Sequence, residues 1–403
     1  MAPRRGDLDR RERGGESRPS SRAEGTGSMS YEVKEVDPKE HEVSRRRFLR
    51  NAGVAAAAVP FLGALLEACS SSPANGASGF GGQGKDPFAK HPNWTFALVN
   101  HVTTNPFFVP TRYGASDACN LLGVSYTWTG SADSIVSQMV TAMDTAIADK
   151  VAGIGVPVID PTGFIEPTNK ALEAGIPVVA YNANPPANSP NNQMAYIGQD
   201  LFAAGVAAAE RILQKGYVSK GDLVGGMIAT PGTANIQPRM DGAKSVFGPA
   251  GVTLDEVATG ALLSQEFAAV PAWYEGHQDA KFLYAVDDGS GEAVSKTIVS
   301  KGLQGKVYGS GWDVAVPELD AIKAGSLEFS IDQQAYLQGF IPIFQLFLYQ
   351  MSGGLLRPSD TDTGLKFVDK SIVDSYLAVP SRYEGSTSAQ KVLTAPSSLP
   401  APA

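Results

Sequence analysis

Cysteine and histidine are scarce in this 403-residue chain, which contains two cysteines and four histidines. So few cysteines offer no disulfide framework, and the histidines stand at no spacing typical of a metal or catalytic site. The nucleophile motif Gly-x-Ser-x-Gly is also absent from the sequence. These absences disfavour an enzyme, and we expect no catalytic residues, no cofactor and no metal.

Charge is low and unevenly distributed, with 18% charged residues and a net charge of −8. Residues 1–50 carry 13 Lys and Arg against 10 Asp and Glu, whereas the chain from Cys69 onward carries 20 against 30. An acidic body disfavours general binding to nucleic acids. With 43% hydrophobic residues, a chain of this length is expected to form two folded domains.

No apolar run is long enough for a membrane-spanning helix, which needs about 20 apolar residues. The apolar segment 51–68 is short and rich in Ala and Gly; it follows the basic segment Ser44–Arg50 and ends next to Cys69. This order is typical of an export signal. We predict that residues 1–68 are an export signal with a long polar first part, and that residues 69–92 are a flexible tether. The alternative is a basic patch before a short buried helix.

From Trp94 onward, short apolar runs alternate with longer amphipathic ones, and the alternation occurs twice. Such alternation predicts parallel sheets with right-handed crossovers. We therefore predict an α/β fold of two similar Rossmann-like domains with a cleft between them. The predicted strands are Thr95–Val99, Val124–Trp128, Gly153–Val158, Pro177–Tyr181, Ala195–Gly198, Leu223–Ile228, Val252–Thr259, Phe282–Ala285, Val307–Gly309 and Phe329–Asp332. The predicted helices are Phe108–Leu122, Asp133–Asp149, Gly163–Ala174, Leu201–Gly216, Asn235–Phe247, Ser290–Lys301, Val314–Ala324 and Gln338–Gln350, with Ser371–Leu377 left as strand or helix.

The turn after the first predicted strand has the residue types of a binding site. Asn105 can donate to and accept from hydroxyl groups. Pro106 suits the first turn of a helix, where its missing N–H would be unpaired anyway. Phe107 and Phe108 then offer aromatic faces that can stack on the C–H faces of a sugar ring.

Polar or aromatic residues also follow the other predicted strands. Strand carboxyl ends share one crevice in open α/β sheets, so we expect these residues to converge. Aromatic faces, amides, carboxylates and an Arg together favour a neutral, hydroxyl-rich guest such as a monosaccharide or polyol. The clusters are His101–Phe108, Trp128 and Thr129, Tyr181–Asn184, Thr230–Arg239, Asp287 and Asp288, Trp312 and Asp313, and Asp332–Gln334.

From about Trp94 to Leu377 the chain resembles the type I periplasmic binding proteins of sugar ABC importers, in their ribose-binding branch. The residues that carry the resemblance are Asn105–Phe108, Pro177–Val179, Ile197–Asp200, Gly232 and Thr233 with Arg239 and Gly242, Asp287 and Asp288, Trp312 and Asp313, and Asp332–Gln334 with Gln338 and Gly339. The resemblance implies two lobes joined by a three-strand hinge. It places residues 93–199 plus 334–364 in the N-terminal lobe and residues 200–333 plus 365–382 in the C-terminal lobe, and we expect residues 383–403 to form a frayed tail.

The segment before the body resembles a twin-arginine signal that ends in a lipoprotein cleavage box. The arginines are Arg45 and Arg46, and the box is Leu66–Cys69. This resemblance implies cleavage before Cys69 and lipidation of its thiol.

The family pattern also implies roles for individual residues. Its Asn and two Phe after the first strand imply sugar contacts by Asn105, Phe107 and Phe108. Its acidic residue after the ninth strand implies Asp313, its Gln at the last crossover implies Gln333, and its Asn-Asp pair after the eighth strand implies Asp287 or Asp288. The sequence departs from the ribose pattern at Tyr181 and Asn182, where the family has Asp-Arg, and at Gln237, where it has Arg; the second family Arg is kept as Arg239. These departures favour a pyranose or an alicyclic polyol over ribose. His101, Trp128 and Trp312 complete the candidate set.

Structural roles compete with several of these assignments. Phe107 and Phe108 can be core residues of the first helix, and Asp288 can be a helix N-cap. Arg239 can form an ion pair across its helix, Trp312 can pack beneath the cleft, and Gln333 can serve the hinge.

The sequence thus favours a substrate-binding lipoprotein of an ABC importer. It would be monomeric, anchored by lipid at the outer face of the cytoplasmic membrane, and would deliver a sugar or polyol to a permease with its ATPase. The alternative is a ligand-sensing receptor that partners a chemoreceptor or a sensor kinase, since the same fold and site serve both roles.

Overall fold

The structure is a computed structural model that describes residues 88–378 and 380–393. Arg45, Arg46, Cys69, the whole predicted export signal and most of the predicted tether lie outside the described residues, as do residues 394–403. Within the described part, no helix is long and apolar enough to cross a membrane.

The first sheet belongs to the N-terminal lobe and contains six strands, all parallel. The strands are β1 (Thr95–Asn100), β2 (Ser125–Gly130), β3 (Gly153–Val156), β4 (Val178–Tyr181), β5 (Tyr196–Gly198) and β11 (Thr361–Asp362). Their order across the sheet is β11-β5-β4-β3-β1-β2. The helices are α1 (Val109–Leu122), α2 (Val136–Ala148), α3 (Ile165–Glu173) and α9 (Leu337–Met351).

The second sheet belongs to the C-terminal lobe. Its strands are β6 (Leu223–Ile228), β7 (Thr253–Ala258), β8 (Phe282–Ala285), β9 (Tyr308–Ser310), β10 (Phe329–Asp332) and β12 (Lys366–Asp369). Their order is β12-β10-β9-β8-β6-β7, and only β12 is antiparallel to its neighbour. The helices are α4 (Leu201–Gln214), α5 (Gln237–Ala250), α6 (Leu263–Gly276), α7 (Asp288–Ser300), α8 (Val316–Ala324) and α10 (Val373–Leu377).

The two sheets share one topology. The order β2-β1-β3-β4-β5 in the first sheet matches β7-β6-β8-β9-β10 in the second, so the central strands correspond one to one. The predicted α/β fold with two Rossmann-like domains is therefore confirmed. Strand order reverses next to β1 and next to β6, and open α/β sheets bind ligands beyond the carboxyl ends of such strands.

Each lobe has its own apolar core on both faces of its sheet. In the N-terminal lobe, Phe96 and Leu98 of β1 are fully buried on one face and Ala97 and Val99 on the other, because helices cover both faces of a central parallel strand. In the C-terminal lobe, α4 and α5 cross with their backbones in contact. A Cβ on Gly205 would overlap the carbonyl oxygen of Arg239, so this glycine allows α5 to bring Arg239 close to the strand ends.

Three crossovers connect the lobes, at residues 198–200, 332–336 and 362–366. They are tied together by hydrogen bonds. Gln199 Nε2 donates to the Gly364 carbonyl at 2.9 Å, and Thr363 Oγ1 donates to the Gln333 carbonyl at 2.8 Å. Gln334 Nε2 donates to the Thr363 carbonyl at 2.7 Å.

The sequence analysis missed three elements of this fold. Helix α6, which contains Trp273, was not predicted because Pro271 interrupts its apolar pattern. Strand β11 has only two residues, and β12 pairs antiparallel to β10, outside the strand–helix alternation.

The start of the predicted frayed tail also differs from expectation. Tyr383 packs edge-on against Tyr336 with ring centroids 5.0 Å apart, and Gln390 Nε2 donates to Asp117 at 3.0 Å.

Candidate functional site

A cavity of about 240 Å³ lies between the two lobes, beyond the carboxyl ends of β1, β4, β6, β8 and β9. Nine of the predicted site residues line it: His101, Asn105, Phe107, Phe108, Asn182, Arg239, Asp287, Asp313 and Gln333. A larger surface hollow of about 910 Å³ is lined partly by Trp94 and Thr95, at the amino end of β1. Parallel sheets do not place ligands at that end, so we assign the site to the smaller cavity.

The N-terminal lobe supplies an aromatic wall without charge. Asn105 caps the 3₁₀ turn Pro106–Phe108, because its side-chain oxygen accepts from the Phe107 N–H at 2.9 Å. Phe107 is half-buried and meets the buried Phe108 edge-on, with ring centroids 4.6 Å apart. The His101 ring packs against Phe108 at 5.3 Å. Burial lowers the pKa of His101 to about 3, so its imidazole is neutral at physiological pH.

The C-terminal lobe supplies the charges. Arg239 is 2% exposed; its Nη1 donates to the Val286 carbonyl at 2.7 Å, and its guanidinium lies 4.5 Å from the Trp312 ring centroid. Its Nε has no protein hydrogen-bond partner in the described structure. The alternative of an ion pair across its helix is not supported, because no carboxylate of the described residues lies within 4.0 Å of it. Asp313 and Asp288 line the same wall.

Asn182 and Asp313 occupy equivalent positions in the two lobes. The Asn182 N–H donates to the Ile197 carbonyl, and the Asp313 N–H donates to the Ile331 carbonyl, so each follows the fourth strand of its lobe in the same register. Both adopt left-handed backbone, with φ of 62° and 84°. This conformation is tolerated best by Gly, Asn and Asp, and in other residues it costs about 1 kcal/mol or more. The turn directs each side chain into the cavity.

A chain of amides links these two residues across the crossover. Gln333 Nε2 donates to Asp313 Oδ1 at 2.6 Å, and Gln338 Nε2 donates to Gln333 Oε1 at 3.1 Å. Asn182 Nδ2 then donates to Gln338 Oε1 at 3.1 Å. Gln333 therefore lines the cavity and also lies at a crossover, so its position is compatible with both ligand contact and a hinge role.

Carboxylates at this site have unusual proton affinities. Burial raises the pKa of Asp313 to about 7, although Arg239 and the hydrogen bond from Gln333 oppose the rise. Burial also raises the pKa of Asp288 well above its usual range, with the charge of Asp313 adding to the effect. Perturbed pKa values of this kind concentrate at functional sites.

Four predicted site residues do not line the cavity. Tyr181 and Trp312 are fully buried in the two cores, directly before Asn182 and Asp313. The Tyr181 hydroxyl accepts from Asn100 Nδ2 at 2.9 Å, beneath the cavity floor. At each strand end the aromatic side chain points into the core and only the next residue turns toward the cavity, so Tyr181 and Trp312 do not have the expected place in the lining.

Trp128 and Gln237 are displaced for other reasons. Trp128 lies behind Phe108, and its Nε1 donates to the Thr103 carbonyl at 3.1 Å. Gln237 opens helix α5 on its outer side, where its Nε2 donates to Asp241 at 2.9 Å and to Glu256 at 3.2 Å. Neither side chain reaches the lining of the cavity in the described structure.

Asp287, and not Asp288, has the role of helix N-cap. Asp287 is the N-cap of α7; its Oδ1 accepts from the Ser290 N–H at 3.0 Å and its Oδ2 from the Ala229 N–H at 2.9 Å. Asp288 also lines the cavity, and its side chain makes no hydrogen bond or ion pair to the other described residues. Asp288 therefore has the freer carboxyl group for a ligand.

Several polar lining residues were not singled out as candidates. Thr230 and Asn235 belong to the predicted cluster Thr230–Arg239 but carry no signal that separates them from their neighbours, and Ser134 lies outside all the predicted clusters. Glu292 lies on helix α7 and Glu266 on helix α6. The place of Glu266 in the lining could not be predicted, because its helix was not predicted. Among the described residues, no group of His, Cys, Asp and Glu has the geometry to hold a metal ion.

Comparison with known proteins identifies the family to which this chain belongs. Residues 96–352 match the family described as periplasmic binding protein domain. A curated relative, the xylose/arabinose-binding protein XylF of Sulfolobus acidocaldarius, is 45% identical over 321 residues, which cover 77% of this chain and 79% of that protein.

Solved structures with the same fold include two sugar complexes. A solute-binding protein of an ABC transporter from Burkholderia graminis, in complex with D-arabinose, superposes with a TM-score of 0.66 at 24% identity, over 72% of this chain and 99% of that chain. A second, from Agrobacterium vitis with bound D-fucose, has a TM-score of 0.66 at 22% identity, over 70% of this chain and 98% of that chain. At these identities the likeness is one of fold.

Proposed function

Since this chain belongs to the periplasmic binding protein domain family, we propose that it captures a monosaccharide in the cleft between its two lobes, with pentoses as the first candidates. The observation that carries the proposal is the cavity of about 240 Å³, which has an aromatic wall on one lobe and carboxylates with one Arg on the other. The relative at 45% identity is named for binding xylose and arabinose, which supports pentoses as the starting point.

The two walls suit the two kinds of surface on a sugar. The face of Phe107 can stack on ring C–H groups, while Asp288 and Asp313 can accept from hydroxyls and Arg239 can donate to them. Hydrogen bonds to charged groups contribute about 1.5–3 kcal/mol each and neutral ones about 1 kcal/mol. Several such bonds with an aromatic stack are consistent with micromolar affinity, about −8 kcal/mol.

Capture would involve closure of the lobes about the three crossovers. The described conformation already has contacts across the cleft: the Ala234 N–H donates to the Ile159 carbonyl at 3.0 Å, and Asn235 Nδ2 lies 3.4 Å from His101 Nε2. A ligand that touches both walls binds the closed form better than the open form, and so shifts the balance toward closure.

In the cell, we propose that the protein is the solute receptor of an ABC importer rather than an enzyme or a sensor. The solved structures that share its fold include proteins described as ABC transporter solute-binding proteins. The resemblance of the N-terminal segment to a twin-arginine lipoprotein signal supports export and lipid anchoring through Cys69. A monomer that delivers sugar to a permease and its ATPase at the outer face of the cytoplasmic membrane fits these features.

Isothermal titration calorimetry with the body of the protein tests the sugar proposal. The panel would contain D-xylose, L-arabinose, D-ribose, D-glucose, D-galactose and myo-inositol, with an amino acid as a control of unrelated chemistry. We expect saturable heat with at least one pentose at micromolar concentrations. Absence of heat with every sugar and polyol, from protein that unfolds cooperatively, would contradict the proposal.

A further inference from the structure

Glu266 is a buried acid at the outer edge of the cavity. Its side chain is 4% exposed, whereas Leu262 and Leu263, one turn earlier, are 53% and 44% exposed. Arg239 and Asp313 lie at the inner end, where Asp313 bonds to the crossover residue Gln333. Leu263 also lines the cavity, so Glu266 lies beside the solvent-exposed end of the lining, which is called the outer end below.

The carboxyl group of Glu266 fits against a glycine. A Cβ placed on Gly289, in the first turn of α7, would overlap Oε2 of Glu266 and lie 2.7 Å from Oε1. Gly289 has an ordinary backbone conformation, because its φ is not in the left-handed region. Because Gly289 has no side chain, the Glu266 carboxyl group can occupy the space where a Cβ would stand.

No cation neutralises Glu266. Within the described residues, no Lys or Arg nitrogen lies within 4.0 Å of its carboxyl group. Burial raises the pKa of Glu266 well above its usual range, and the charge of Asp287 and a hydrogen bond with Asp287 add to the rise. A carboxyl group that shares a proton with Asp287 keeps its other oxygen free to accept from a ligand hydroxyl.

We infer that Glu266 determines which sugars the cleft accepts, by limiting the size of the ligand at the outer end of the cavity and by hydrogen bonding to the hydroxyl group placed there. This inference rests on the proposed sugar-binding function and deepens it. A pentopyranose has no exocyclic carbon, whereas a hexopyranose adds a CH₂OH group. Replacing Glu266 with Ala removes the carboxyl group and the adjoining CH₂, which is more than the room that a CH₂OH group needs.

The test is a set of matched variants titrated with D-xylose and D-glucose, which share their ring stereochemistry and differ by the CH₂OH group. In Glu266→Ala, we expect xylose affinity to fall about tenfold and the ratio of glucose to xylose affinity to rise at least tenfold. Glu266→Gln keeps the size and a donor, so its ratio should stay within about threefold of the wild type. Ser264→Ala, two residues earlier, exposed and outside the lining, is the control and should bind as the wild type does.

A double-mutant cycle with Gly289→Ala adds a readout for the contact itself. Alone, Gly289→Ala should force Glu266 into the cavity and weaken xylose binding about tenfold. In the Glu266→Ala background the same change should cost little, because the carboxyl group it displaces is gone. Thermal unfolding of each variant identifies any loss of affinity that comes from misfolding.

The outcomes separate this inference from the proposed function. If the wild type binds no sugar, the proposed function is wrong. If the wild type binds a pentose but Glu266→Ala leaves the affinity ratio unchanged, the role assigned to Glu266 is wrong and the sugar site stands. Coupling between positions 266 and 289 without a change in the ratio would also overturn it, by limiting Glu266 to packing.

Discussion

The same position in the two lobes holds Asn182 on one side of the cleft and Asp313 on the other. Both follow a buried aromatic, both have left-handed backbone, and both donate their N–H to the neighbouring strand. The difference of one side-chain atom reflects a wider division. The described lining from the N-terminal lobe is neutral, whereas the lining from the C-terminal lobe contains Arg239 and several carboxyl groups.

This division indicates how one fold, used twice, can make an asymmetric site. The N-terminal wall offers rings and amides, whose contacts with a sugar change little with pH. The C-terminal wall offers charged and titratable groups, whose contacts depend on the pH and on the one buried guanidinium. Mutations in the two walls are therefore expected to have different signatures, which the following predictions use.

The largest effect is expected from Arg239→Met in the charged wall. It removes the single guanidinium of the described lining and leaves Asp313 buried without a nearby positive charge. The change also removes a charged hydrogen bond to the Val286 carbonyl, worth about 1.5–3 kcal/mol, and a buried cation–π contact with Trp312, worth about 2 kcal/mol. Both stability and sugar affinity should therefore fall strongly. Urea unfolding and calorimetry measure the two losses.

Arg211→Met is the matched control, because the Arg211–Asp369 pair at 2.5 Å is partly exposed and should contribute about 1 kcal/mol or less. Equal losses of stability and sugar affinity in the two variants would contradict the role assigned to Arg239 in the charged wall.

In the neutral wall, adjacent phenylalanines should separate stability from binding. Phe108 is 2% exposed, so Phe108→Ala should lower the free energy of unfolding by about 3–5 kcal/mol. Phe107 is half-buried and faces the cavity, so Phe107→Ala should weaken sugar binding by about tenfold with a smaller effect on stability. The same pattern in both variants would show that Phe107 is a core residue.

A smaller, pH-dependent effect is expected at Asp313. Its folded pKa of about 7 is above the usual carboxyl value of 3.8. Between these values the folded state keeps a proton that the unfolded state has lost, so its contribution to stability falls as pH rises from about 4 to 7. Asp313→Asn should remove this slope in urea unfolding.

Sugar binding should show the opposite trend at the same residue. If the carboxylate accepts from ligand hydroxyls, wild-type affinity should rise about tenfold from pH 6 to pH 8 as Asp313 ionises. Asp313→Asn should be insensitive to pH in this range, and the exposed Asp320→Asn should behave as the wild type. A pH profile unchanged by Asp313→Asn would assign the titration to another group.

The smallest effect is expected at Gln237, which lies outside the lining. Its side chain bonds to Gly232, Asp241 and Glu256 at the surface of the C-terminal lobe. Gln237→Ala should change stability by about 0.5 kcal/mol or less and leave sugar affinity unchanged. A loss of affinity of about fivefold or more would place Gln237 in the site after all.

Much of the fold followed from the sequence because parallel strands and amphipathic helices have distinct periodicities. The predicted strands Leu223–Ile228, Phe282–Ala285 and Phe329–Asp332 match the structure to the residue. Helix α6 did not follow, because Pro271 breaks its pattern and packing in the second lobe stabilises it. The position of Glu266 depends on that helix, so the outer end of the cavity could not be predicted.

For the site, the sequence alone identified the strand ends, and with them Asn105, Phe107 and Asp313. It could not decide which of two adjacent residues at a strand end points inward, since that depends on a left-handed turn that pairs with the next strand. Tertiary structure therefore placed Tyr181 and Trp312 in the cores and Asn182 and Asp313 in the cleft. The physical reason is that periodicity is a local property of the chain, whereas the direction of a side chain at a turn is set by hydrogen bonds to distant strands.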